Sequence, residues 1–253
     1  MHEIPLECVP ISGNLHLLFS LVVLLGILAG YFPQIHKLVS NKSVDGLSSL
    51  FLILGAIGTN SLLLNSVILQ WTQLECCLEQ ELGDCLRNTL SVVQLAVQFV
   101  LFNSIVLLFY VYASGSKGSL VLLSSLFHFL FALLFAIFIS YYYPKHIKAY
   151  AAFLGMLTLA VSLTQYIPQI YLTFKSGRVG ALSIASLMIM APGSFIFAWT
   201  LATSPGTNPS TWITLLFTGS LQTILLVMCI IFHRKKQYIV LPTSEEEEEE
   251  NFM

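Results

Sequence analysis

Seven apolar stretches, roughly residues 15–38, 47–70, 90–112, 120–143, 149–174, 181–203 and 211–232, occupy most of this 253-residue chain, and none contains an Asp or Glu. Each is long enough for one bilayer crossing, which takes about 20 apolar residues. Lipid offers no partner to a backbone N–H or C=O, so crossing segments of this kind must be helical. The expected fold is an all-α membrane protein with seven transmembrane helices. Composition agrees: 56% of residues are hydrophobic and 9% charged, against roughly 25% charged in soluble domains. The net charge of −2 carries little meaning, because Glu245 to Glu250 supply six of the 13 acidic residues. No basic excess points to nucleic acid. The opening "MHEIPLECVPISG" lacks the positive start of a cleavable signal peptide, so the first stretch is expected to remain as a span.

Basic residues near span ends set orientation. Lys37, Lys42, Lys117, Lys175, Arg178, Arg234, Lys235 and Lys236 fall on one side, against Arg87, Lys145 and Lys148 on the other. The richer side is expected to be cytosolic, leaving the N-terminus lumenal or extracellular and the C-terminus cytosolic. The chain also repeats. At an offset of 135, Tyr31, Pro33, Gln34, Ile35, Val44, Leu47, Ser48, Leu52, Ala56 and Gly58 fall without a gap on Tyr166, Pro168, Gln169, Ile170, Val179, Leu182, Ser183, Leu187, Ala191 and Gly193. Spans 1–2 and 5–6 are copies, spans 3 and 7 complete them, and span 4 is a linker. Four spans separate the copies, so both point the same way: two parallel three-helix repeats in 3+1+3 order. The divisions are 1–112, a linker helix at 113–148, 149–232, and an acidic tail at 233–253, expected to be disordered and cytosolic. Parallel repeats about an axis along the membrane normal occur in transporters that bind solute between the halves.

Each copy sets a Pro-Gln pair in an apolar helix, Pro33-Gln34 and Pro168-Gln169. A proline removes one helical hydrogen bond and clashes with the carbonyl four residues back, here those of Ala29 and Thr164. Freed backbone is tolerated at membrane depth only where protein buries it or a cavity borders it. The neighbouring glutamine supplies an amide donor and an acceptor. Both pairs lie near the expected cytosolic ends of spans 1 and 5, where a hinge would open or shut the entrance; a static kink for packing is the alternative. Span 6 adds Pro192, which frees the Met188 carbonyl, and Gly193, which would permit close approach of a neighbouring helix or a ligand.

The duplicated "YFPQI…KSVDGLS" and "YIPQI…GRVGALS" resemble the two motifs of the PQ-loop repeat family, which includes cystinosin, the vacuolar and lysosomal basic amino acid exporters and, more distantly, the SWEET sugar transporters. The resemblance covers essentially the whole chain, and its second half is similar in particular to uncharacterised PQ-loop proteins of fungi. It implies a carrier of a small polar solute, prolines that pivot during alternating access, and a vacuolar or lysosomal membrane, with the plasma membrane left open. In SWEET-like relatives, mid-depth asparagines and aromatics hold the solute, which points to Asn60, Asn103, Trp199 and Gln222 here. Interhelical hydrogen bonding is the alternative role for each.

Proton-coupled carriers use an intramembrane carboxylate or histidine. Only Asp45, in the turn after the first motif, and His128 in span 4 are candidates. A cationic solute would also want a carboxylate, so the chain departs from the basic amino acid exporters. A neutral or zwitterionic solute such as an amino acid fits better, with sugar as the alternative. The rival reading is a metabolite sensor or scaffold that recruits a cytosolic partner. An enzyme is not expected, since no HExxH motif is present. Cys8, Cys76, Cys77 and Cys85 lie on the expected lumenal face, where thiols tend to pair. Four allow three connectivities; one bridge is expected within "ECCLEQELGDCL", with Cys8 available for a second. No histidine accompanies them, so neither metal nor cofactor is expected. The other expected partners are the lipid bilayer, a sorting adaptor at Tyr238–Leu241 and a second copy of the chain.

Overall fold

Every apolar stretch forms a helix, in a computed structural model that describes residues 14–44, 47–113, 115–176, 184–204 and 206–240. In chain order these are α1 (Asn14–Asn41), α2 (Ser49–Leu69), a short α3 (Trp71–Cys76), α4 (Leu82–Tyr112), α5 (Ser116–Tyr142), a 3-10 turn (Pro144–His146), α6 (Ile147–Ser176), α7 (Ile184–Ala202) and α8 (Pro209–Val240). Among the described residues, six helices are long and apolar enough to cross a membrane. The remaining one, α7, has 19 residues. At 1.5 Å per residue that is a rise of about 28 Å, close to the roughly 30 Å of hydrocarbon in a bilayer. The chain is a multi-pass membrane protein.

Two boundaries differ most from the sequence reading. Helix α4 starts at Leu82 rather than near residue 90. Its first turns hold Asp84, Arg87 and Asn88, which hydropathy counts as loop, yet side chains fix them. Cys85 is bonded to Cys77, and Asn88 Nδ2 donates to Gln80 Oε1 (3.1 Å). The bridge lies within the stretch where one was expected; closing so short a loop contributes about 2.5 kcal/mol by chain entropy. Cys8 lies outside the described residues. At the other end, α8 runs to Val240, past residue 232. Arg, Lys and Gln are good helix formers, so the helix propagates beyond its apolar part and the first residues of the expected tail are helical.

The residues after the first Pro-Gln explain themselves as helix punctuation. Lys42 takes a left-handed φ of 48° and its N–H donates to Leu38 O (3.0 Å), ending α1 as an αL cap. Ser48 then caps α2, its hydroxyl accepting from the Phe51 N–H (3.5 Å), as N-cap serines do.

Within each copy the third helix packs on the first two: α4 on α1 and α2, α8 on α6 and α7. Helix α5 lies on α2 and α4, and the copies meet along α2 with α6 and α1 with α7. The buried clusters are unevenly placed. Toward the N-terminal end of α1, Val23, Leu62 and Leu95 of the first copy pack with Phe197, Ala198, Leu201 and Leu215 of the second. Toward the Pro-Gln end the clusters separate. One gathers Leu38, Leu52, Ala56, Phe102 and Val106 with Val121 of α5; the other gathers Leu187, Leu225 and Cys229. Among the described residues, buried apolar clusters thus bridge the copies at one end and not at the other.

Candidate functional site

The Pro-Gln positions do not interrupt their helices. Helix α1 runs continuously through Pro33, and α7 through Pro192. Both proline side chains are exposed and Gln34 is half-buried. What each proline removes is one donor, not a turn of helix. Helix α6 likewise continues past residue 168; the side chains of Pro168 and Gln169, and all of Asp45, lie outside the described residues. Gly193 meets nothing within 4 Å of a built Cβ, so among the described residues no neighbouring helix closes on it.

Two residues before each Pro-Gln stands a tyrosine, and each has a glutamine from the third helix of its copy beside it. Gln222 Nε2 on α8 donates to the Tyr166 hydroxyl (2.8 Å). The other end of that amide, Gln222 Oε1, accepts from Ser194 Oγ of α7 (3.0 Å). Ser194 Oγ also lies 2.8 Å from Met190 O; a hydroxyl has one proton, so these two acceptors compete for it. In the first copy Gln98 of α4 is the polar neighbour of the Tyr31 hydroxyl, and Tyr166 lies close to Tyr31. The Tyr31 ring also meets Phe102 edge-on (centroids 6.4 Å). Two equivalent Tyr–Gln pairs therefore face each other where the copies meet. All five side chains, Tyr31, Gln98, Tyr166, Gln222 and Ser194, are uncharged hydrogen-bonding groups.

Of the four solute-binding candidates Asn60, Asn103, Trp199 and Gln222, Gln222 alone belongs to this cluster. Asn60 is fully buried. Its Nδ2 donates to Ser125 O (3.2 Å) and its Oδ1 accepts from Asn103 Nδ2 (3.3 Å). Ser125 Oγ closes the triangle by donating to Asn103 Oδ1 (2.9 Å). His128 Nε2 of α5 and Ser61 Oγ of α2 are 2.9 Å apart. These bonds fasten linker helix α5 to the first copy. Trp199 stands elsewhere, on α7 against the rings of His16 (6.1 Å) and Phe19 (5.2 Å) of α1. Asn65, Thr200 and Gln94 are buried and bonded to neighbouring backbone or side chains. The two tyrosines were missed because a tyrosine in an apolar span reads as one more hydrophobic residue. The signal was present: they are identical partners in the 135-residue offset.

The PQ loop repeat model matches the chain twice, at residues 15–74 and 150–208. The first match spans α1 and α2, the second α6 and α7. The uncharacterized protein C4C5.03 of Schizosaccharomyces pombe is 28% identical over 255 residues, covering 91% of this chain and 84% of that protein.

Proposed function

The chain carries two PQ-loop repeats, and from that premise we propose that it is a carrier moving a small, uncharged polar solute by alternating access. Proteins of this family are membrane transporters or sensors of small solutes. The observation that carries the narrower reading is the twin Tyr–Gln cluster between the copies, rich in donors and acceptors and without an ionised side chain. A charge at the bilayer centre costs about 2.5–3.5 kcal/mol even on the most lenient scale. An amino acid zwitterion would bring two charges to a cluster that, among the described residues, offers neither a countercation nor a counteranion. A hydroxyl-rich neutral solute needs only the amides and phenols already there. The eight-to-three division of basic residues supports an N-terminus facing the lumen and a cytosolic C-terminus. The family resemblance and the Tyr238–Leu241 pattern support a vacuolar or lysosomal membrane.

Uptake into proteoliposomes, tested against sugars, polyols and amino acids with and without a pH gradient, distinguishes these readings. Saturable entry of a hydroxyl-rich solute, independent of the gradient, is expected. The double variant Asp45→Asn, His128→Gln should still equilibrate that solute, because His128 is engaged with Ser61 outside the Tyr–Gln cluster. Uptake confined to amino acids, or gradient-driven accumulation lost in either single variant, would contradict the reading.

A further inference from the structure

The 135-residue offset makes the α1–α7 seam and the α6–α2 seam one interface built twice, and their hydrogen bonds can be compared position by position. On the α2–α6 seam, Gln165 Nε2 donates to Phe51 O (2.8 Å), Thr158 Oγ1 to Gly58 O (3.3 Å) and Asn65 Nδ2 to Ala151 O (2.6 Å). These three bonds sit near the start, middle and end of α2. The equivalent residues on α1 are Gly30 for Gln165, Val23 for Thr158 and His16 for Ala151. On α7 they are Ser186, Gly193 and Thr200. Gly30 and Val23 carry no donor, so the first two bonds cannot be made from α1. The third persists with the roles exchanged: His16 Nε2–H donates to Thr200 O (3.1 Å). At the Gly30 end, the described α7 neighbour is apolar: Met190 Cγ stands 3.9 Å from a built Cβ.

Taking the carrier reading as its premise, we propose that the copies part along one seam only. The α2–α6 seam stays closed and acts as the hinge line, with Gln165 as its positioning residue at the Pro-Gln end. The α1–α7 seam opens from Gly30 and Met190, while His16, Thr200 and the apolar cluster around Val23 and Leu201 hold its far end. Each seam has one Pro-Gln proline, Pro33 on α1 and Pro168 on α6, but the seam that opens adds Pro192 on α7, where α2 has Ile57. A backbone missing a hydrogen bond at those points bends there with least resistance. Two sequence copies thus give one fixed and one mobile contact.

Distances between nitroxide labels on the full chain in lipid nanodiscs test this without any flux. One pair, Phe32→Cys with Met188→Cys, spans the α1–α7 seam; the other, Leu50→Cys with Thr164→Cys, spans α2–α6. All four positions are exposed, and the unsubstituted chain supplies the background from native cysteines. The first pair is expected to give two separations and the second a single one. Gly30→Gln, which places the missing amide on α1, should collapse the first pair to its shorter separation. Gln165→Leu should broaden the second. Matching distributions for the two pairs, or two separations across α2–α6 alone, would overturn the proposal. Failure of the carrier reading shows separately, as absence of uptake by the unsubstituted chain with the distances unchanged.

Discussion

Gln222→Leu is expected to cut solute uptake at least about tenfold, the loss produced when about 1.4 kcal/mol of transition-state binding disappears. Leucine keeps most of the glutamine volume, so packing on α8 changes little. What goes is the amide that donates to Tyr166 and accepts from Ser194. An interhelical bond in a membrane averages about 0.6 kcal/mol, so losing two costs about 1 kcal/mol and the protein should still fold. The effect on flux should exceed the effect on stability because the solute must itself hydrogen-bond at this cluster. Thr223→Val is the control. Its hydroxyl donates only to Gly219 O on its own helix (2.7 Å), and uptake should stay near normal. Initial rates in proteoliposomes, normalised to monodisperse protein, measure both. Uptake by Gln222→Leu equal to that of Thr223→Val would remove the Tyr–Gln cluster from the solute path.

The largest stability effect is expected at Gly155, where α6 and α8 touch backbone to backbone. A Cβ built there lies 2.5 Å from Ser210 O and 2.8 Å from Ser210 Cβ. Neither is the tip of a flexible side chain, so one helix must move. That movement also stretches the Thr214 Oγ1 bond to Gly155 O (3.2 Å) and disturbs Asn65, which accepts from Thr211 Oγ1 (2.6 Å) in the same region. Gly155→Ala should therefore destabilise by about 3 kcal/mol, the upper end of ordinary overpacking. Gly193→Ala should change little, since nothing stands within 4 Å of its Cβ. Thermal melts of the detergent-purified variants compare the two directly. Equal melting temperatures would mean that the α6–α8 contact is looser than described.

Much of the fold could be read from the chain because lipid leaves few choices. A long apolar stretch must be a helix, so the seven spans, their parallel repeats and the linker followed from hydropathy and one numerical offset. The polar start of α4 at Leu82 did not, because a disulfide and the Asn88–Gln80 bond hold it rather than apolar burial. The site was harder. Asn60 and Asn103, 43 residues apart, are stranded polar groups of the same kind as Gln222. Only packing reveals that the first two face α5 while Gln222 faces Tyr166. Tyr31 and Tyr166 were hidden by being aromatic in apolar surroundings. The difference between the seams was written in the sequence as Gly30 and Val23 opposite Gln165 and Thr158. Its meaning appeared only when Gln165 and Thr158 were found bonded across α2–α6.

Counterflow tests the carrier claim most directly. Proteoliposomes loaded with unlabelled solute are diluted into a trace of the labelled form, and the label inside is followed over time. A carrier that alternates its access returns faster when occupied, so labelled solute should rise transiently above equilibrium inside loaded vesicles and not in empty ones. The overshoot should be abolished by Gln222→Leu. Labelled solute that binds the protein yet never enters the vesicles would instead make this chain a sensor, and entry with no overshoot would make it a pore.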